Sequence, residues 1–401
     1  MIAGAGIAGL TAALAFARHG FGVRVYERSP VLEEVGAGLQ LSPNATRILD
    51  RLGVLDLVSA SAVRPEAVVL RDAAKLAERA RVPLGAAAEQ RWKAPYLVAH
   101  RADLQSAMLA RATESPLIEI ATGATVGAVE ALADCVRVSV TQDGIDSHIE
   151  AALFVAADGV WSASRRLVGP KEKSKFSGEL AWRTTLSADS DVGRQFAVLT
   201  SPATVTTFLH PRFHLVAYPI RAGAAINLVA FTPGNSIAEQ WSGETDTGAL
   251  KRAMGGTAPA LSKLIDEAGP WTVWPLHTVD QSRPWTSPSG IALIGDAAHA
   301  MTPFAAQGAA MAIEDAYTLA DAIAEATSTA EALARWETSR KPRVLKVARR
   351  GALNHFAWHA AGPVALARNL FLKLKSPESL AADMDWLYGW TPPGWLDEDR
   401  L

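Results

Sequence analysis

The chain has 401 residues, of which 49% are apolar and 20% are charged. This length exceeds what a single hydrophobic core organises, so we expect two or three domains. A formal net charge of −2 gives no reason to expect a nucleic acid or an anionic membrane as a partner. The single cysteine, Cys135, excludes an internal disulfide, which fits a cytoplasmic location.

The N-terminal segment has the pattern of a short strand, a tight turn and a helix. Its glycines are spaced as Gly4-x-Gly6-x-x-Gly9, a helix is predicted over residues 7–19, and the next strand ends at Glu27. In such a unit the first glycine allows the turn, the second lets backbone approach a pyrophosphate, and the third lets the helix pack on the strand. The glycines alone leave a purely structural turn open. Together with an acid placed to bind ribose hydroxyls, they predict a dinucleotide site.

The following segments alternate between helices and strands. Ser42 and Pro43 mark a helix start, with a capping hydroxyl and a proline in the first turn. An amphipathic helix is predicted over 101–113, and short strands follow between 119 and 157. The last of these strands is continuously apolar, which is typical of a strand covered on both faces, and it leads directly into Asp158.

A change of pattern predicts a second domain. Between 176 and 232 the chain consists of strands separated by turn residues, which indicates an antiparallel sheet. The chain then returns to the first domain through an apolar strand at 291–294, and the residues beyond 331 read as helical. We interpret the many basic residues of 335–375 as a solvated helix face, with a membrane-surface helix as the alternative.

A second ligand-binding signal follows the apolar strand at 291–294. Gly295 and Asp296 come directly after it, and a loop containing Pro303 leads to an Ala-rich helix whose first turn includes Gly308. Small residues let backbone N–H groups approach a polar ligand, and the helix dipole favours negative charge there. Together with the N-terminal glycines, this segment points to FAD.

These two segments and the intervening Asp158-Gly159-x-x-Ser162-x-x-Arg165, in this order, resemble flavoprotein monooxygenases of the aromatic hydroxylase type. That family includes the para-hydroxybenzoate and salicylate hydroxylases. The likeness covers nearly the whole chain. Residues 36–53, 100–109 and 384–390 also resemble the branch of salicylate, 3-hydroxybenzoate and 6-hydroxynicotinate hydroxylases.

The resemblance implies an α/β fold: a Rossmann-like FAD-binding domain of the para-hydroxybenzoate hydroxylase type, an inserted antiparallel-sheet substrate domain and a C-terminal helical segment. It also implies non-covalent FAD, with NAD(P)H as a transient co-substrate. The predicted division is 1–72, 97–172 and 276–330 for the FAD-binding domain, 73–96 and 173–275 for the substrate domain, and 331–401 for the C-terminal helical region.

By this resemblance Glu27 binds the adenosine ribose, and Arg101 lies near the pyrophosphate or ribityl chain. Asp296 holds the ribityl–pyrophosphate region, while Asp158 and Arg165 serve both FAD and the nicotinamide cofactor. The helix that starts near Gln307 aims its N-terminus at the flavin pyrimidine. The predicted cofactor-binding residues are Gly4, Gly6, Ala8, Gly9, Glu27, Arg28, Gln40, Arg101, Asp158, Arg165, Gly295, Asp296, Gly308 and Ala309.

The sequence contains one Gly-x-Gly-x-x-Gly motif in the required context. Flavin enzymes that hold NAD(P)H in a second Rossmann domain show another such motif. The pattern therefore agrees with a family in which NAD(P)H binds briefly, and it argues against a disulfide reductase.

The strand FHLVAYPI, residues 213–220, offers a place for the reacting ring. His214 and Tyr218 lie on one face, with Cα atoms roughly 13 Å apart at about 3.3 Å per residue, which can bracket one aromatic ring. The hydroxylase branch resembles this H-x-x-x-Y-P pattern, with His and Tyr at the substrate. Without the family, incidental polar residues on a half-exposed strand remain an open interpretation.

Arg183 is a candidate for binding a substrate carboxylate, because guanidinium matches carboxylate in two-point geometry. A salt bridge between domains is the open alternative. His299, beside Asp296, is expected to order the flavin loop. The predicted catalytic residues are His214, Tyr218 and Pro303; the predicted substrate-binding residues are Arg183, His214, Tyr218 and Gln307. No metal site is predicted.

We therefore predict a single-component FAD monooxygenase that hydroxylates a small aromatic acid or phenol with NAD(P)H and O₂ through a flavin C4a-hydroperoxide. A base that removes the phenolic proton accelerates such a step, and His214 or Tyr218 is the expected group. We expect a cytoplasmic monomer or homodimer. Two alternatives stay open: an FAD monooxygenase for a larger polycyclic natural product or antibiotic, and a non-catalytic flavin-binding redox sensor.

Overall fold

The computed structural model describes residues 1–32, 38–170, 173–201, 203–235 and 247–395. Residues 36–37, which belong to a segment that carries the family resemblance, and 396–401 of the predicted C-terminal region lie outside these ranges. The strands are β1 (Ile2–Ala3), β2 (Val23–Glu27), β3 (Gly38–Leu41), β4 (Ala67–Asp72), β5 (Glu78–Pro83), β6 (Leu97–His100), β7 (Ile118–Thr122), β8 (Ala124–Ala131), β9 (Val136–Gln142), β10 (Ile145–Ala151), β11 (Phe154–Ala156), β12 (Lys175–Ser187), β13 (Thr204–His210), β14 (Phe213–Ile220), β15 (Ala225–Pro233), β16 (Thr272–Thr278), β17 (Thr286–Ser287) and β18 (Ile291–Leu293). The α-helices are α1 (Ile7–Arg18), α2 (Pro43–Arg51), α3 (Leu55–Ser59), α4 (Ala86–Trp92), α5 (Arg101–Thr113), α6 (Asp191–Thr200), α7 (Gly248–Ala253), α8 (Pro259–Glu267), α9 (Asp296–His299), α10 (Gly308–Glu325), α11 (Thr329–Trp358), α12 (Gly362–Leu374), α13 (Pro377–Ala382) and α14 (Asp385–Tyr388).

The first unit is built on a six-stranded sheet in the order β17-β18-β11-β1-β2-β7. Neighbouring strands from β18 to β7 are parallel, and β17 is antiparallel to β18. The central strands are short and fully apolar, as expected for strands that helices cover on both faces. Because these strands are parallel, their carboxyl ends meet at one edge, and α1 and α10 begin at that edge.

The second unit is a seven-stranded sheet in the order β16-β12-β15-β14-β13-β4-β5. Its pairs are antiparallel except that β4 runs parallel to β13. This pairing adds 67–72 to the sheet of the second unit, ahead of the predicted boundary at residue 73; the division as a whole stays a prediction. Mixed helices and strands with an inserted, largely antiparallel sheet confirm the predicted fold class.

Two smaller sheets complete the architecture. Strands β8, β9 and β10 form an antiparallel sheet, and a turn at Asp143 and Gly144, both with positive φ, joins the last two strands. β3 and β6 pair antiparallel at the border of the two units, where Gly38 N–H donates to the side chain of Asn227. This bond ties the first unit to the face of β15.

The C-terminal helices pack back onto the first unit. Arg340 is buried and contacts Glu314 and Asp315 of α10, and Arg343 also pairs with Glu314. Buried carboxylates require cationic partners. The interpretation of this basic segment as a solvated face is therefore wrong for these two arginines. Within the described ranges, none of the helices is both long enough and apolar enough to cross a membrane.

Candidate active site

Three sequence motifs meet at the carboxyl edge of the six-stranded sheet. Gly4 follows β1 and donates from its N–H to the carbonyl of Tyr26 in β2, at 2.8 Å. Asp158 comes two residues after β11, and Gly295 comes two residues after β18. Since β11 pairs with both β1 and β18, the parallel register alone brings these loops together.

The N-terminal glycines fit a bound pyrophosphate. A Cβ on Gly9 would lie 1.9 Å from the carbonyl oxygen of Gly4, so helix and strand approach too closely for any side chain there. A Cβ on Gly6 would meet no atom within 4 Å, which leaves open space beside the start of α1. Backbone N–H groups and the helix dipole at that position favour a phosphate group.

The second loop touches the first through small residues. Gly295 adopts φ 58°, and a Cβ there would lie 3.2 Å from Cβ of Ala8 and 3.1 Å from Cβ of Ala312. Asp296 follows as the first residue of α9, and its side chain is exposed while its neighbours in the chain are buried. The carboxylate is therefore available to a ligand at the edge of the sheet.

Four further predicted cofactor residues lie around this edge. Glu27 accepts hydrogen bonds from the N–H groups of Ala5 at 2.8 Å and Ser29 at 2.9 Å, and a carboxylate retains further lone pairs for ribose hydroxyls. Arg28 is exposed, Arg101 begins α5 as a partly buried residue, and Gln40 accepts a hydrogen bond from the hydroxyl of Tyr96 at 2.6 Å. Their direct contact with the cofactor stays a prediction.

Both charged residues of the Asp158–Arg165 motif make hydrogen bonds within the protein. Oδ2 of Asp158 accepts a hydrogen bond from the hydroxyl of Ser164 at 2.9 Å, whereas its Oδ1 is buried with no partner among the described residues. Arg165 donates to the carbonyls of Ala297 at 3.1 Å and Val160 at 2.5 Å. Arg165 therefore fixes the Asp296 loop against this motif, and its contact with either cofactor stays a prediction.

His299 connects the loop of Gly295 and Asp296 to α10. Its Nε2 lies 2.5 Å from Oδ2 of Asp315, which also accepts from the N–H of Gly295 at 3.1 Å, and Arg340 donates from Nε to Oδ1 at 2.9 Å. Burial favours the neutral acid, but His299 and Arg340 hold the pKa of Asp315 below its usual value. These contacts agree with the expected ordering role of His299.

Gln307 faces α2 in the described structure. Its Nε2 donates to Oγ of Ser42 at 2.9 Å, and its Oε1 accepts from Nδ2 of Asn44 at 3.2 Å. Ser42 was expected to cap α2, but its hydroxyl donates to Oδ1 of Asn44 instead. Because the amide of Gln307 is satisfied inside the protein, a substrate contact by this residue stays a prediction. The next residues, Gly308 and Ala309, begin α10, where helical N–H groups have no intrahelical acceptor.

One face of the seven-stranded sheet collects the polar residues of a candidate substrate site. Cross-strand register pairs Tyr218 with Asn227, and it pairs Arg183 and Val216 with the same residue, Val229. The other residues of β14 face a separate apolar cluster. As the alternation predicts, that cluster contains Phe213, Leu215 and Ala217.

Two hydrogen-bond donors on this face have no partner in the described part of the chain. Nε of Arg183 and Nδ2 of Asn227 are buried with no acceptor among the described residues. Burial and the neighbouring Arg101 lower the pKa of Arg183 to about 10, so the guanidinium is still charged at neutral pH. Burial raises the pKa of the nearby Tyr218 hydroxyl above its usual range. A carboxylate is the chemical group that best satisfies such a donor set.

His214 lies at the other end of the same strand face. It is fully buried, stacks on Phe231 with ring centroids 4.6 Å apart, and meets Phe304 edge-on at 5.3 Å. Phe304 follows Pro303 in the short 3₁₀ turn before α10, so the predicted Pro303 loop and the predicted base are in one place. Burial, and next His359, lower the pKa of His214 well below its usual value.

Sequence reasoning missed two members of this site. Asn227 is the one polar residue in the run AINLVAF, so a polar side chain on a buried strand was the available signal. His359 has its Nε2 3.1 Å from Nδ1 of His214, yet it follows α11 far along the chain, and no local pattern marks that contact.

The chain is similar to known proteins in sequence and in fold. The sequence profile of a family described as FAD binding domain matches residues 1–351. The chain is 33% identical to 3-hydroxybenzoate 6-hydroxylase of Polaromonas naphthalenivorans (strain CJ2), over 100% of this chain and 98% of that protein. It is 34% identical to 3-amino-4-hydroxybenzoate 2-monooxygenase PtmB3 of Streptomyces platensis, over 97% and 95% of the two chains. A solved structure of a Klebsiella pneumoniae HpxO variant complexed with FAD has a TM-score of 0.81 at 25% identity, over 96% of this chain and 97% of that one.

The profile and the relatives match residues that include both the carboxyl edge of the six-stranded sheet and the seven-stranded sheet. They confirm the predicted cofactor FAD and the predicted class of monooxygenase, and the open cradle at Gly6 fits that cofactor. The chain therefore belongs to the family of FAD-dependent aromatic hydroxylases.

Proposed function

We propose that this enzyme hydroxylates a small aromatic acid that carries a phenolic hydroxyl, with NAD(P)H and O₂ as co-substrates. The proposal rests on two buried donors, Arg183 Nε and Asn227 Nδ2, that have no acceptor among the residues that the structure describes and lie on the strand face of His214 and Tyr218. The names of two relatives, a 3-hydroxybenzoate and a 3-amino-4-hydroxybenzoate hydroxylase, describe acids with both groups.

The predicted cofactor residues hold FAD at the sheet edge. N–H groups near Gly6 and the dipole of α1 bind the pyrophosphate, while Glu27 binds the adenosine ribose. Asp296 holds the ribityl–pyrophosphate region, and the N-terminus of α10 at Gly308 favours negative charge on the flavin pyrimidine. When bound, FAD supplies the chemistry that activates O₂ and delivers an oxygen atom to the aromatic ring.

The residues of the substrate sheet orient and activate the ring. Arg183 and Asn227 bind the carboxylate, which fixes the ring relative to the flavin loop at Pro303. His214 accepts the phenolic proton at Nε2, because its lowered pKa keeps the imidazole neutral and able to accept at neutral pH. Tyr218 keeps its own proton and hydrogen-bonds the ring substituent. General bases of this kind contribute about 10²–10⁴-fold to a reaction rate.

The remaining parts of the proposal concern partners and location. NAD(P)H binds briefly, since the sequence carries no second dinucleotide fingerprint in the required context. We propose a cytoplasmic enzyme that is a monomer or a homodimer. A larger polycyclic substrate and a non-catalytic flavin sensor are the competing outcomes of the test.

The test is a panel of hydroxybenzoates assayed for stimulated NAD(P)H oxidation, with product identification. Each acid is compared with its carboxamide, which keeps the ring and the phenol but lacks the charge. We expect hydroxylated product from at least one acid and a much lower kcat/KM for the matching amide. Equal kcat/KM for acid and amide contradicts the carboxylate site, and absence of product with NAD(P)H oxidation unchanged by any acid favours the sensor.

A further inference from the structure

Three histidines connect the substrate face with the protein surface. Nδ1 of His214 lies 3.1 Å from Nε2 of His359. The ring of His359 meets the ring of His355 edge-on, with centroids 4.3 Å apart. Nε2 of His355 lies 3.1 Å from Oε1 of Glu179. His214 is fully buried, whereas 33% of the His355 side chain is exposed, so the row of rings runs from the interior to solvent.

Rigid elements hold these rings in position. His355 and His359 are four residues apart on α11 and its C-terminal cap, so both lie on the same side of the helix. Phe304 stacks on His355 at 4.5 Å and meets His214 edge-on, which places one aromatic ring against both ends of the row. Asn354 donates to the carbonyl of Phe304 at 2.9 Å and so fixes α11 against the flavin loop.

A base at the position of His214 has to release the proton that it accepts before the next turnover. Its Nε2 is buried without a partner among the described residues, and a retained proton would leave a cation in an apolar surrounding. Among the described residues, the titratable groups next to the row are His210 of β13 and Glu179 of β12. Burial, with His355 and His210, also lowers the pKa of His359 to about 4, so neither inner ring holds a charge at neutral pH.

We infer that His359 relays the phenolic proton of the substrate from His214 toward solvent, and that the partly exposed His355 positions it at the exit. This inference rests on the proposed function. The O–H bond of the substrate breaks and its proton binds Nε2 of His214, while the proton on Nδ1 of His214 passes to Nε2 of His359. The proton on Nδ1 of His359 then leaves toward solvent beside His355. One proton enters and one leaves, so His214 and His359 exchange tautomers and both stay neutral.

The test follows proton removal without turnover. FAD-loaded enzyme is mixed with 4-hydroxy-3-nitrobenzoate in the absence of NAD(P)H, at a pH where the free phenol is protonated, and phenolate absorbance is recorded by stopped flow. His359→Ala should slow phenolate formation by about 10²-fold, the lower end of the effect of a general base. Added imidazole should restore the rate, because truncation leaves space beside Nδ1 of His214. His355→Gln should give a smaller loss.

The control is His148→Ala, an exposed histidine on β10, which should leave phenolate formation unchanged. The rate of phenolate formation, plotted against the deuterium fraction in mixed H₂O and D₂O, should give a curve for the wild type because two protons move together. The same plot should be linear for His359→Ala. Phenolate formation by His359→Ala at the wild-type rate, or a loss that imidazole does not restore in a variant that retains FAD, overturns the relay. A wild type that forms phenolate but yields no hydroxylated acid contradicts the proposed function alone.

Discussion

Replacing Arg183 by methionine should both raise the stability of the folded protein and weaken the binding of aromatic acid substrates. The guanidinium is partly buried near Arg101, and its Nε has no acceptor among the described residues. In the substrate-free protein the charge is therefore unfavourable, and with an acid bound it makes charge-assisted hydrogen bonds. A hydrogen bond to a charged group contributes about 1.5–3 kcal/mol, which corresponds to a loss of about 10- to 150-fold in kcat/KM for the acid.

The stability effect follows from the lowered pKa of Arg183. The folded pKa of about 10 lies below the ordinary value, so the protonated form disfavours the folded state. The difference sets an upper bound of about 3 kcal/mol, which solvent screening of a partly buried side chain reduces. This penalty is fully present at neutral pH and is relieved as pH rises through about 10. Arg183→Met should therefore raise the urea midpoint at pH 7, and the gain should shrink at high pH.

The assay compares kcat/KM for one hydroxybenzoate and its carboxamide in the wild type, Arg183→Met and Arg183→Lys. The methionine variant should lose activity toward the acid but little toward the amide. The lysine variant keeps a charge without the planar fork and should be intermediate. An equal loss for acid and amide, together with a lower urea midpoint, would refute the reasoning, because Arg183 would then be a structural residue.

Three further predictions test the cofactor edge, the ring site and the buried charges. Gly9→Val should abolish FAD retention, measured as flavin per protein after gel filtration, because a Cβ would lie 1.9 Å from a carbonyl oxygen; a yellow, stoichiometric variant would contradict this. Tyr218→Phe should keep FAD but divert oxygen to H₂O₂, and unchanged product per NAD(P)H would exclude Tyr218 from the site. Arg340→Met should lower the free energy of unfolding by at most about 3–5 kcal/mol, because it removes one cationic partner from each of the buried carboxylates Glu314 and Asp315 and leaves them only Arg343 and His299. Since the folded pKa of Asp315 is lowered, its stabilising contribution is lost as pH falls through that pKa, and the gap between wild type and Arg340→Met should narrow in acid.

Local sequence patterns predicted the parts of the fold that depend on neighbouring residues. The helix after Gly6 begins at Ile7 and the second strand ends at Glu27, as the periodicity indicated, because turn glycines and alternation act over a few residues. The alternation of β14 likewise predicted the shared face of His214 and Tyr218. In these segments local preference and tertiary packing agree.

Contacts between distant elements could not be read in the same way. Basic residues of α11 looked solvated because the acids that pair with Arg340 lie on α10, and the capping role expected of Ser42 was replaced by a bond to Asn44. The partner of His214 follows a helix 145 residues away. Such contacts depend on how the units pack, and a single sequence without aligned relatives carries no signal for them.

The most direct test of the account is the coupling of oxygen to product under ¹⁸O₂, measured as labelled hydroxylated acid per NAD(P)H consumed, with peroxide quantified in parallel. We predict a ratio near unity for the wild type with its preferred hydroxybenzoate. His214→Ala should bind FAD and oxidise NAD(P)H, but it should release most of the oxygen as H₂O₂. Wild-type coupling in His214→Ala, or no labelled product from the wild type with any aromatic acid, would contradict the assignment of this strand face as the site of hydroxylation.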